Sequence, residues 1–120
     1  MEAAYVLTVR FRLEPAGVEA DPREFETVVR RPADPPGEEG WLFFRDALWR
    51  GEVNDDAYAR RLASDWLGVP ALDVSFRELE TDEEYRESLT DAVAADLDRF
   101  NADSATEALH KYLGSSIRVT

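Results

Sequence analysis

The chain has 120 residues, 44% of them hydrophobic, and carries 26 Asp and Glu against 14 Lys and Arg for a net charge of −12. That length and apolar content suit one domain spanning 1–120 with a substantial core, and the acidity argues against nucleic acid and anionic membranes as partners, which call for a basic stripe. The chain has no cysteine and one histidine, so disulfides, thiolate sites and a cysteine nucleophile are excluded, and no metal or other cofactor is expected.

From Tyr5 to Glu14 the side chains alternate, with Tyr5, Leu7, Val9, Phe11 and Leu13 on one face, which predicts a half-buried strand. After a loop punctuated by Pro15, Gly17 and Pro22, Phe25, Thr27 and Val29 mark a second strand, expected to pair antiparallel with the first. Pro32, Pro35, Pro36 and Gly37 end it. The segment Trp41 to Arg50 places Trp41, Leu42, Phe44, Leu48 and Trp49 on one broad helical face. It reads as a helix, or as a short strand over Trp41 to Phe44 followed by a shorter helix; Trp49 is expected in the core and Arg45 across an indole.

Asn54 is the expected cap of the next helix, which buries Ala59, Leu62, Ala63, Trp66 and Leu67 and stops at Gly68. Leu72, Val74 and Phe76 predict a third strand. Thr81 with Glu84 reads as a capping box for a helix running to about Phe100, and Ser104 with Glu107 opens a last helix ending at Gly114. Ile117 and Val119 predict a terminal strand. The order ββααβααβ gives an α+β fold, a four-stranded, mainly antiparallel sheet with helices packed on one face; a helix pair should return each strand antiparallel to the one before.

No stretch of about 18 apolar residues occurs and the N-terminus lacks a basic-then-apolar run, so neither a membrane span nor a signal peptide is read and a cytoplasmic protein is expected. Among the basic residues only Lys111 is lysine, the rest being arginine. A GC-rich genome favours arginine codons, but codon bias does not call for 26 carboxylates, whereas adaptation to molar salt does. The solitary His110 beside Lys111 complements a helix C-terminus and lacks the partners of a catalytic set. Glu52, Asn54 and Asp56 lack the glycine and distal glutamate of a calcium loop.

Gly40 to Glu52, with the triplet Leu48-Trp49-Arg50 inside it, resembles the signature of the LWR-salt proteins, short acidic proteins of halophilic archaea. The resemblance implies a haloarchaeal source and brings no catalytic residues with it. Laid side by side, the predicted strands put Arg10, Arg12, Arg30, Arg77 and Arg118 on the face away from the core, against Glu14, Glu24, Glu26 and Asp73. That face admits three readings: salt bridges on a solvated sheet, a homodimer that stacks sheets, or a platform for a small anionic ligand, on which the protein binds, or acts as an enzyme on, a phosphorylated small molecule or RNA. A non-enzymatic interaction module that self-associates there is expected.

Overall fold

The computed structural model describes residues 1–13 and 23–120. β1 (Ala3–Leu13) and β2 (Arg23–Pro32) pair antiparallel, as alternation predicts, with Leu7 opposite Val29 and Arg10 opposite Glu26. β5 (Ala71–Thr81) flanks β1 on its other side, also antiparallel, and β6 (Ile117–Val119) completes a sheet of order β2-β1-β5-β6. Between β2 and β5 lie α1 (Phe43–Ala47), a two-stranded hairpin of β3 (Leu48–Trp49) and β4 (Glu52–Val53), and α2 (Asp56–Leu67). After β5 come α3 (Glu83–Ala94), a 3-10 turn (Leu97–Phe100) and α4 (Ala105–Leu113). The fold is α+β, as expected, and gains a small second sheet that the order ββααβααβ lacks.

Leu7, Val9, Val74 and Leu79 point from the sheet into one core with Phe44, Leu48, Leu89, Val93 and Leu113 of the helical layer and hairpin. An aromatic chain runs through it: Phe44 stacks on Phe100 at 5.8 Å and meets Tyr112 at 6.1 Å, while Trp41 lies edge-on to Phe100 at 6.0 Å. The outer ends of β1 and β2 outrun the helices, giving extents of 57 × 26 × 24 Å. Leu13 and Phe25, expected on the buried stripe, are consequently exposed, and Phe25 stacks on Phe11 at 5.7 Å. Glu14 and the loop prolines lie outside the described residues.

Several boundaries depart from expectation for local reasons. The helix expected over Trp41 to Arg50 covers only Phe43–Ala47, with turns before it, and Leu48 is already extended at φ −123° and ψ 152°. The strand at this point follows that helix instead of preceding it. Asn54 does not cap α2: its side-chain amide donates to the Asp46 carbonyl at 3.0 Å, serving the end of α1, while Asp55 accepts the Tyr58 N–H at 3.1 Å. Thr81 is drawn into β5 opposite Ala3, so the cap of α3 falls to Asp82. α3 stops at Ala94 instead of Phe100: Asp96, at φ −147°, leaves the helical path, and Leu97–Phe100 follow as a separate 3-10 turn. Ser104 accepts the Glu107 N–H at 3.1 Å, as the sequence predicts.

β6 runs parallel to β5, against the antiparallel return expected of a helix pair. α3 rises about 18 Å and α4 about 14 Å, so a returning α4 stops short of the level where β5 ended. The chain therefore joins the sheet edge at Leu79 with room to continue in the direction of β5.

Asp82 ties the start of the chain to α3: its carboxylate accepts the Tyr85 N–H at 2.8 Å and the Glu2 N–H at 2.8 Å. Those bonds, led by the one from Tyr85, hold its pKa below the ordinary value. A carboxyl with a folded pKa below its unfolded one stabilises fully above the unfolded value, about 4, and loses that contribution as pH falls through the folded value. In molar KCl, Asp82→Asn should melt below the parent at neutral pH and converge with it as pH falls through the lowered folded value; parallel curves would deny Asp82 this role.

Candidate interaction surfaces

The sheet carries its helices on one face, leaving the other open. Two β-bulges set what that open face displays. Leu7 opposes Phe76 but Val6 opposes Glu78, so Arg77 is an extra residue, exposed, and the alternation of β5 slips by one. Glu78 and Glu80 thereby join the open face, two carboxylates that a strand read only to Arg77 misses. The signal was in the sequence, since Leu79 and Thr81 continue the apolar alternation of Phe76 out of phase.

The arginines expected on this face are there, and three meet carboxylates across strands. Arg10 pairs with Glu24 at 3.0 Å, Arg118 approaches Glu78 to 3.7 Å, and Arg30 forms a two-pronged pair with Glu80. The Arg30 hydrogen bond holds the Glu80 carboxyl below its ordinary range. By register this pair crosses β1 at Ala4 and Val6, which accounts for Val6 being 3% exposed on a face with no helix over it. Arg12 and Arg77 have no carboxylate partner among the described residues. Between the charged rows lies a neutral one, Val28, Thr8 and Ser75 on adjacent strands, and Val28 is 51% exposed. Each exposed ion pair contributes about 0.2–1 kcal/mol.

The Leu-Trp-Arg triplet forms a second surface. Leu48 and Trp49 are β3, and Arg50 and Gly51 are the two-residue turn to β4, with φ of +52° and +80°. Positive φ at both central positions is the turn whose twist matches a hairpin, usually written Asn-Gly. The turn docks on the end of α4: Arg50 N–H donates to the Lys111 carbonyl at 2.8 Å and Gly51 N–H to the Tyr112 carbonyl at 2.9 Å. Carbonyls that a helix C-terminus leaves without partners are thus capped by a separate element. The approach is backbone to backbone. A Cβ on Gly51 would lie 3.1 Å from the Leu113 carbonyl oxygen, and one on Gly114 3.1 Å from that of Arg50.

Leu48 is buried, but Trp49 is 43% exposed, which corrects its expected place in the core. A strand alternates its faces, so burying Leu48 turns Trp49 outward. Its indole lies edge-on to Tyr112 at 5.8 Å, with the Lys111 ammonium 5.6 Å and the Arg50 guanidinium 5.8 Å from its centroid. Lys111 also donates to the carbonyls of Phe100 and Asn101 at 3.1 and 3.3 Å. Arg45 pairs with Asp46 at 2.9 Å and stacks on no indole; Arg31 and Arg50 do so instead, over Trp66 and Trp49.

With the triplet placed at a hairpin turn, the comparison with known families acquires a structural meaning. The profile of the LWR-salt protein family matches residues 1–120. The chain belongs to that family. No curated protein and no solved structure matches it. Leu48, Trp49 and Arg50 thus run from β3 into the turn that fastens the small sheet to α4. Among the described residues no cluster of three or more His, Asp and Glu has the geometry of a metal site, and no helix is long and apolar enough to cross a membrane.

Proposed function

We propose that this LWR-salt protein is a non-enzymatic interaction module of a high-salt cytoplasm that self-associates by stacking the open faces of two sheets. The observation that carries this reading is charge distribution. Arg10, Arg12, Arg30, Arg77 and Arg118 balance Glu24, Glu26, Asp73, Glu78 and Glu80 on that face, in a chain whose net charge is −12. Approach through the remaining surface brings like charges together, whereas the open face offers a neutral Val28-Thr8-Ser75 row bordered by charges of both signs. With β1, β2 and β5 ten or eleven residues long and β6 only three, at about 3.3 Å per residue and about 4.8 Å between strands, the face spans about 550 Å², so two faces bury about 1,100 Å², at the lower end of what a specific dimer needs. Binding of a phosphorylated ligand or RNA at this face is less well supported, because Arg10, Arg30 and Arg118 already face carboxylates.

In molar KCl, light scattering should return a dimer for the parent and a folded monomer for the double variant Val28→Glu, Arg77→Glu, since a two-fold axis doubles each introduced charge. Both side chains are exposed, so the fold should survive. A monomeric parent at every concentration sinks the proposal. Protection of the parent by inorganic phosphate against thermal unfolding, lost in the variant without a change of mass, transfers the face to anion binding.

A further inference from the structure

The hairpin turn holds more chemistry than its structural task uses. Capping α4 takes two backbone N–H groups, which any residue but proline supplies, and anchoring the hairpin takes the buried Leu48. Neither task specifies the side chains of Trp49 and Arg50. Arginine is a poor choice at φ +52°, where glycine or asparagine fits without strain, and its guanidinium has no carboxylate partner among the described residues. Next to it run the chain's one histidine and one lysine, His110 and Lys111, then Ser115 and Ser116, lining an open groove with Trp49. In a protein of net charge −12 this groove is locally balanced, Arg50 and Lys111 against Glu52 and Glu107, around an exposed indole, and Trp and Arg are the residue types that dominate binding energy where proteins meet.

We infer that the Trp49-Arg50 turn is a docking site for an acidic segment of another protein, with the Arg50 guanidinium taking a carboxylate as a bidentate pair and Trp49 covering the apolar side chain beside it. Charge decides the kind of partner. The Arg50 guanidinium, with no carboxylate partner among the described residues, calls for a single anionic group, but Glu52 and Glu107 line the same groove and repel a chain of contiguous phosphates. A peptide that alternates carboxylates with apolar side chains satisfies both conditions. Molar salt weakens long-range attraction and leaves contact pairs and apolar burial to hold the segment, which is what a paired guanidinium and indole provide.

The test uses the whole chain, ¹⁵N-labelled in molar KCl, titrated with an acetylated hexapeptide of alternating leucine and aspartate. Millimolar peptide should shift the indole N–H of Trp49 and the amides of Arg50, His110, Ser115 and Ser116, while the leucine-asparagine counterpart should not. Arg50→Gly relieves the positive φ and keeps the cap, so it should fold at least as well as the parent and bind the peptide about tenfold more weakly or worse. Trp49→Thr should lose binding similarly. Shifts that are absent, that persist unchanged in Arg50→Gly, or that are larger with hexathymidylate than with the peptide overturn the inference, the last in favour of a single-stranded nucleic acid.

Discussion

Transferring the protein from about 0.01 M to about 1 M KCl should raise its thermal midpoint by about 15 °C. The argument is the self-energy of −12 charges confined to a body with a Cα radius of gyration of 16.4 Å. At low salt the Debye length of about 30 Å exceeds that radius, so every carboxylate feels most of the others; at molar salt it falls to about 3 Å and only neighbours count. The unfolded chain spreads the same charge over roughly twice the radius and suffers less at either extreme. A charged-sphere estimate of the difference gives on the order of 5 kcal/mol of stability gained between the two salts, comparable with the whole stability of an average domain. The local ion pairs act in the opposite direction, since salt weakens Arg10–Glu24 and its like, but at a few tenths of a kcal/mol each they lose to the global term. A midpoint that is flat or falling in a differential scanning experiment over this range would falsify the salt reading of the composition.

The composition also explains which parts of the fold were legible. Where one face is buried and the other solvated, period speaks directly: Tyr5, Leu7 and Val9 announce β1, and Ala108, Leu109, Tyr112 and Leu113 announce α4. Legibility failed where tertiary contacts overrule local signals. Trp41 to Trp49 holds enough apolar residues for a helical face, yet the chain breaks after Ala47 because the turn at Arg50 and Gly51 finds its partners on α4, more than fifty residues downstream. An Arg-Gly pair does not advertise a hairpin as Asn-Gly would. Likewise Thr81 and Glu84 have the spacing of a capping box, but backbone pairing of Thr81 with Ala3 and Val119 displaces the cap to Asp82. On the open sheet face, alternation places the arginines but only part of the carboxylates, since a bulge at Arg77 shifts Glu78 and Glu80 onto it without leaving a turn residue in the sequence.

The hairpin turn offers the sharpest separation of structure from contact, through two adjacent residues. Leu48→Ala should destabilise the protein by about 2–5 kcal/mol in chemical denaturation, because Leu48 is 1% exposed and sits where α1, the hairpin and α4 meet. The loss has two parts, the transfer of the removed methyl groups and the cavity left among rings and helices too rigid to close it. Trp49→Ala removes a far larger side chain yet should cost only about 1 kcal/mol, the worth of its edge contact with Tyr112 and of the two cations beside it. Size alone predicts the reverse order, as does a helix continued through Arg50, which would bury Trp49. Should Trp49→Ala prove the more damaging, the turn is not as exposed as its geometry states, and the indole belongs to the core. With the expected order, the conformation of the triplet is held by Leu48 and the two N–H groups that cap α4, and the indole and guanidinium are surplus to folding, the condition under which a surface side chain is available to a partner.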